Sequence, residues 1–282
     1  MAIQRGLEFA RPAQTRLFQD SLAHHFVSPT WRLALLAARL SAVRRAIEAL
    51  YDAIGGPGPR ASAIARTKLI DDLIQEAAAS IDQLVILGAG YDTRAHRLEC
   101  LSGHVIYEAD HPNTQADKHA VLARTHSASG TTIAYVPIDF EHDDLVAALL
   151  SSGYHNDHRS MFLWEGVTQY LSADAVDATL AAIRGTARRG DTLLFTYVED
   201  AVVRGEQDRF PEAAKWLRGT AARGEPWIFG ISPRDISEFL HVRGFCLVSD
   251  QSTREAGERY FIPLHRPERG SELYHVAMAT IE

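Results

Sequence analysis

Gly88 and Gly90, one residue apart, precede Asp92, and about 20 residues further on stand Glu108 and Asp110, a spacing that suits a nucleotide. Bare glycine backbone lets a ligand approach closely, and a carboxylate ending the next strand accepts hydrogen bonds from ribose hydroxyls. Position 93 is threonine, so Gly88-Ala89-Gly90 is only half of a GxGxxG fingerprint. Asp92 puts negative charge at the start of the following helix, which disfavours a pyrophosphate and favours a ligand that carries positive charge. Asp110 holds the better strand-end position, and Glu108, two residues earlier, should point to the same face. Glu165 stands out because it closes the apolar run Met161-Phe162-Leu163-Trp164, where an unpaired charge is costly to bury.

The remaining titratable residues carry weaker signals. Among 13 histidines, His24-His25 and His155 with His158 offer nitrogen donors, but without carboxylate or cysteine partners at a recognised ligand spacing, so no metal is expected. Cys100 and Cys246 show neither CxxC nor zinc-finger spacing, which points to a reduced, cytoplasmic setting. The net charge of −7, with 29 basic residues spread along the chain, argues against a nucleic acid or an anionic membrane as partner. No apolar signal core opens the chain, and the run Leu33 to Leu40 is broken by Arg39 and far short of a membrane span.

The elements that must hold these residues follow from periodicity. Leu84 to Leu87 is too short for a helix and apolar on both faces, which predicts a central strand of a parallel sheet with the glycine turn at its carboxyl end. Strands are expected at 82–87, 104–109, 132–137, 160–165, 191–198, 245–251 and 273–281, with helices near 93–100, 112–125, 143–151, 172–188 and 232–242. Helices between successive strands imply crossovers and a doubly wound sheet. The last two strands, joined by the polar stretch 252–271, could form an antiparallel hairpin, an ending that separates methyltransferase-type sheets from many dehydrogenase sheets. Before the first strand the pattern is helical. Residues 14–27 show mixed helical spacing, Ser28-Pro29 opens a helix from Thr30 to about Ala53, and Leu33, Leu36, Leu40, Val43, Ile47 and Leu50 form its apolar stripe. Gly55 to Pro59 ends it, and a second helix runs from about Ala61 to Ala79. The expected organisation is a helical cap over 1–80 and an α/β body over 81–282, with an insertion at 200–231 that shapes a substrate pocket.

Five segments taken in order, Arg66-Thr67-Lys68-Leu69-Ile70-Asp71-Asp72, Gln83 to Arg94, Tyr107 to Pro112, Pro137-Ile138-Asp139-Phe140 and Trp164 to Leu171, resemble the motifs of the leucine carboxyl methyltransferase family. The resemblance is closest to its bacterial S-adenosylmethionine-dependent O-methyltransferases, which act on polyketides and other small molecules or peptides. It covers nearly the whole chain and implies a seven-stranded, Rossmann-like methyltransferase sheet. It also implies roles. Arg66 would pair with the methionine carboxylate, and Gly88, with Ala89, Gly90 and Asp92 around it, would meet the methionine part. Asp110 would hold the ribose, Asp139 the adenine amino group with Phe140 beside the ring, and Glu165 the methionine ammonium.

The implied reaction is an in-line displacement at the sulfonium methyl, in which alignment of the partners supplies most of the acceleration. A carboxylate acceptor, with an ordinary pKa near ~4, is ionised at neutral pH and requires no base; a hydroxyl would call on His111 or Tyr170. The acceptor is expected to be a small molecule or peptide, and Arg204, Arg209 and Trp227 are candidates to hold it. A nicotinamide-dependent oxidoreductase and a catalytically silent binding module are the competing readings.

Overall fold

Gln83–Leu87 forms β1, buried along its whole length, and pairs in parallel with β2 (Val105–Asp110) on one side and β4 (Ser160–Trp164) on the other. In this computed structural model, which describes residues 1–56, 58–125, 130–206, 209–210, 212–222 and 224–282, the sheet is completed by β3 (Thr132–Pro137), β5 (Thr192–Val198), β6 (Phe245–Ser252) and β7 (Tyr274–Ile281). The order is β3-β2-β1-β4-β5-β7-β6, with β7 antiparallel to both neighbours. All seven expected strands are present within a residue or so of their expected bounds. The order reverses between β1 and β4, the switch point where doubly wound sheets open a crevice for ligands.

Both faces of the sheet are covered, as the two-sided apolarity of β1 requires. Val85 and Leu87 share one core with Leu145 and Leu149 of α7 (Leu145–Ser151), Leu180 and Ile183 of α8 (Ala173–Thr186), and Leu240 of α11 (Ile236–His241). Leu84 and Ile86 face the other core, with Ile64, Ile70 and Ile74 of α4 (Pro59–Ala77) and Phe261 of α12 (Thr253–Phe261). The helix that follows Gly58 therefore packs directly on the sheet.

Four local expectations are corrected. The stretch 252–271 holds α12, opened by a reciprocal capping box between Ser252 and Glu255, so β6 and β7 are antiparallel neighbours joined through a helix. The expected helix over 30–53 is two: α2 (Pro29–Ala37), capped by Ser28, and α3 (Ser41–Gly55), separated where Leu40 takes extended backbone. Leu35 and Ala38 pack on Leu7, and α3 adds Ile47 to the edge of that cluster while its buried residues are the charged Arg44 and Glu48. The stripe is also mostly outside, because Leu33, Leu36, Leu40 and Leu50 are exposed. Residues 14–27 form turns and one short 3-10 segment, while an unexpected helix, α1 (Ala2–Phe9), carries buried Arg5 and Glu8. α3 ends at Gly55, followed by Gly56 at φ +85; Pro57 lies outside the described residues.

Candidate active site

Gly88 leaves β1 at φ +66, and its amide and that of Ala89 donate to the Ala109 carbonyl at 2.8 and 3.2 Å. The turn is thereby fixed to the end of β2. A Cβ on Gly88 would stand 2.5 Å from Val167 Cγ2, so glycine is required both by the backbone and by the close approach. Gly90, at φ +46, donates its amide to an Asp110 carboxylate oxygen, and the other oxygen accepts from the His111 amide at 2.6 Å. Asp110 is thus oriented by the turn itself.

Two cavities meet at this turn and share Gly88 and Gly90. The smaller, about 430 Å³, is lined by Asp110, His111, Ile138, Asp139, Phe140 and Val167. Asp139 accepts from the Glu141 amide at 3.0 Å and contacts His142 Nδ1 at 3.1 Å, and these bonds hold its carboxyl below the ordinary value. The larger cavity, about 640 Å³, includes Arg66, Asp92, Glu165, Tyr170, Trp227 and Tyr274 in its wall. Strand ends β1 and β4, α4 and α1 all reach it, and α10 (Ala213–Ala221) from the 200–231 segment contributes Lys215 and Trp216. Trp216 packs with Val198, Phe210 and Tyr274 in a core of its own.

A chain of ion pairs runs inward from the wall of the larger cavity. Arg66 Nε stands 2.8 Å from one Glu165 oxygen, and Arg94 Nη1 stands 2.6 Å from the other. Arg94 also reaches Asp92 at 2.5 Å and Asp71 at 2.8 Å, and Arg97 chelates Asp71 at 2.6 and 2.8 Å. Three guanidiniums thus face three carboxylates. Burial pushes the Glu165 carboxyl up, but Arg94 and Arg66 outweigh it and hold the group below its ordinary value. The Asp92 carboxyl is likewise depressed, chiefly by Arg94, against its own desolvation. The Arg66 guanidinium additionally stacks 4.7 Å from the Tyr274 ring centroid.

All nine expected ligand-binding residues line one of the two cavities, and the structure also locates the remaining candidates. His111 lies on the smaller cavity, and its Nδ1 accepts from the Asn113 amide at 3.2 Å as a helix cap. Tyr170 lines the larger one. Glu108 corrects the expectation of a second ribose acid: it is buried away from both cavities and paired with Lys118 at 2.6 Å. Arg204 and Arg209 pair on the surface with Asp200 and Glu199, apart from both cavity walls, whereas Trp227 does line the larger one. Asp157 joins His155 and His158 in an exposed cluster, a carboxylate partner that the sequence spacing did not reveal.

Sequence reasoning gave no role to Arg94, Asp71 or Arg97. Their signal was the placement of Asp71 beside the apolar Leu69-Ile70 pair and of two arginines immediately after a buried turn, since buried charges need partners. α1 was also missed; its Arg5 donates to the Tyr91 carbonyl at 2.6 Å and ties the first helix to the glycine turn.

The sequence profile of the leucine carboxyl methyltransferase family matches residues 1–184. A Frankia alni protein named as a candidate S-adenosyl-L-methionine-dependent methyltransferase is 34% identical over 217 residues, 77% of this chain and 73% of that protein. A second Frankia alni protein with the same description is 29% identical, covering 80% of this chain and 78% of its own length. The crystal structure of a candidate methyltransferase from Thermobifida fusca superposes with a TM-score of 0.60 at 19% identity, over 98% of this chain and 97% of the other.

Proposed function

Because the chain belongs to the leucine carboxyl methyltransferase family, we propose that it is an S-adenosylmethionine-dependent methyltransferase that acts on an oxygen of a small metabolite or peptide, a carboxylate before a hydroxyl. The observation that carries the cofactor is the Arg66–Glu165 pair, set 2.8 Å apart in the wall of the larger cavity. An arginine beside a glutamate complements the carboxylate and ammonium of an amino acid. Asp110 and Asp139, across the glycine turn, suit ribose hydroxyls and an adenine amino group. The donor set fits the cofactor on both sides, and Gly88 and Gly90 stand in the walls of both cavities.

When bound, S-adenosylmethionine supplies an electrophilic methyl carbon on a sulfonium. The chain's own part is to orient and desolvate. Arg66 and Glu165 would fix the amino-acid end, Asp110 and Asp139 the nucleoside end, and the aromatic wall of Tyr170, Trp216, Trp227 and Tyr274 would exclude water from the acceptor side. A carboxylate acceptor arrives ionised, which suits a cavity wall where Lys215 offers a cation. In the hydroxyl reading Tyr170 is the better placed base, since His111 faces the nucleoside side.

Methyl-labelled cofactor incubated with candidate acids and phenols tests the reaction. Product methyl that mild alkali releases as methanol identifies an ester, and alkali-stable product identifies an ether. Cofactor binding without transfer to any acceptor would leave a silent binding module. Asp110→Ala should weaken cofactor binding about ten- to a hundredfold by calorimetry, the loss of one or two charge-assisted hydrogen bonds. Unchanged affinity would remove Asp110 from the ribose site.

A further inference from the structure

α3 is amphipathic with its polar side turned inward. Arg44 and Glu48 are buried, Glu48 pairs with Arg11 at 2.6 Å, and Asp52 pairs with Arg60 at 2.7 Å. The outer side of α2 and α3 is apolar: Leu33, Leu36, Leu40, Leu50 and Ile54 are 69%, 46%, 67%, 60% and 74% exposed, with Ala42, Ala46 and Ala49 between them. In water this arrangement is backward, because a surface helix normally buries its apolar stripe. An exposed apolar band of this kind marks an interaction surface.

The charges choose the occupant. Arg32 on α2, Arg39 in the turn after it and Arg45 on α3 are exposed, and none is in an ion pair among the described residues. The only acids of α2 and α3, Glu48 and Asp52, are turned toward Arg11 and Arg60. Arg32 and Arg39 also lie near enough to His24, itself partly desolvated, to help lower its pKa. The band is therefore purely cationic in a chain of net charge −7. A second copy docked on it about a twofold axis would bring the arginines of one protomer against those of the other. An anionic bilayer instead accepts the leucines among its acyl chains and the guanidiniums at its phosphates.

We propose that the outer face of α2 and α3 docks the protein on an anionic lipid surface. The inner side of α3 carries Tyr51 and Gly55 into the wall of the larger cavity, so docking sets that cavity beside the lipid and favours acceptors with an apolar tail. The net charge of the whole chain, −7, points the other way, so docking would depend on the local charge of this face. The docking itself does not depend on the methyl-transfer reading.

The test is co-sedimentation of the full chain with vesicles of phosphatidylcholine alone and of phosphatidylcholine mixed with phosphatidylglycerol, at low and high salt. The wild type is expected to bind the mixed vesicles at least tenfold better than the neutral ones, and more weakly as salt rises. Each arginine near the surface is worth about fivefold, so Arg32→Gln, Arg39→Gln and Arg45→Gln together should cost on the order of a hundredfold. Leu36→Ser with Leu50→Ser should cost at least tenfold by removing insertion. All five changes are at exposed positions, and an unchanged melting temperature shows that each variant folds; if one set fails to fold, the other still decides. Equal binding to both vesicle types, no binding to the mixed ones, or full binding by the variants would overturn the proposal. So would a concentration-dependent dimer that the leucine changes abolish in the absence of vesicle binding.

Discussion

Arg94→Met is expected to lower the unfolding free energy by about 3–5 kcal/mol at neutral pH, the cost of removing one partner from a buried charge cluster. Arg94 is fully enclosed and serves Asp71, Asp92 and Glu165 at once. Without it Asp71 keeps Arg97 and Glu165 keeps Arg66, but Asp92 keeps the backbone amide of residue 94, at 2.7 Å, and only the more distant cations Lys118 and Arg5. The sign with pH follows. In the wild type the Asp92 and Glu165 carboxyls sit below their ordinary values, so their stabilisation is complete above those values and is lost as pH falls through the folded ones. In the variant the desolvation of Asp92 loses its main opposition and its pKa rises, so acid helps rather than harms. The difference in urea midpoint between the two proteins should therefore shrink from neutral pH toward pH 4. A constant difference would show that Arg94 acts through packing alone. Arg94→Lys restores charge but not the fork, and it should recover part of the stability while leaving Glu165 misplaced and cofactor affinity reduced.

Lys118→Met should produce a loss that grows with pH. Glu108 lies in the sheet with Lys118 of α6 (Pro112–Leu122) as its ionic partner at 2.6 Å, and burial, eased by Lys118, raises its carboxyl from 4.5 to about 7. A carboxyl raised on folding contributes stability that is present below its unfolded value and lost as pH rises through the folded one, here between 4.5 and about 7. Near pH 5 the variant can keep Glu108 protonated and the cost stays small, whereas near about pH 8 the unpaired carboxylate should bring the cost toward about 3–5 kcal/mol. Glu108→Leu added to Lys118→Met should return the stability to the wild-type level or above it. Urea unfolding over this pH range measures both, and a pH-independent cost for Lys118→Met would mean that Glu108 is not the group concerned.

The sheet was legible because its central strands are apolar runs with glycine close to their ends, and such runs pair wherever both faces can be covered. Less legible were the segments whose contacts are polar. α1 is held by Arg5 and Glu8, and α3 by Arg44 and Glu48, so a search for apolar stripes overlooked the first and turned the second inside out. α12 did leave a local signal, the Ser252 to Glu255 capping spacing, obscured by the polar residues around it.

By itself the sequence determined the doubly wound sheet, the glycine turn at the end of β1 and the placing of Arg66, Asp110, Asp139 and Glu165 around that turn. Each rests on local spacing, on backbone freedom at glycine or on a motif that stays contiguous in the chain. Only the tertiary structure decided that Glu165 is shared between Arg66 and Arg94, that Glu108 belongs to Lys118 and that Leu33, Leu36, Leu40 and Leu50 face outward. Those outcomes depend on which charges are brought within about 3 Å of one another in a desolvated space, where Coulomb energies are large and fall with distance, and nothing in linear order specifies that distance.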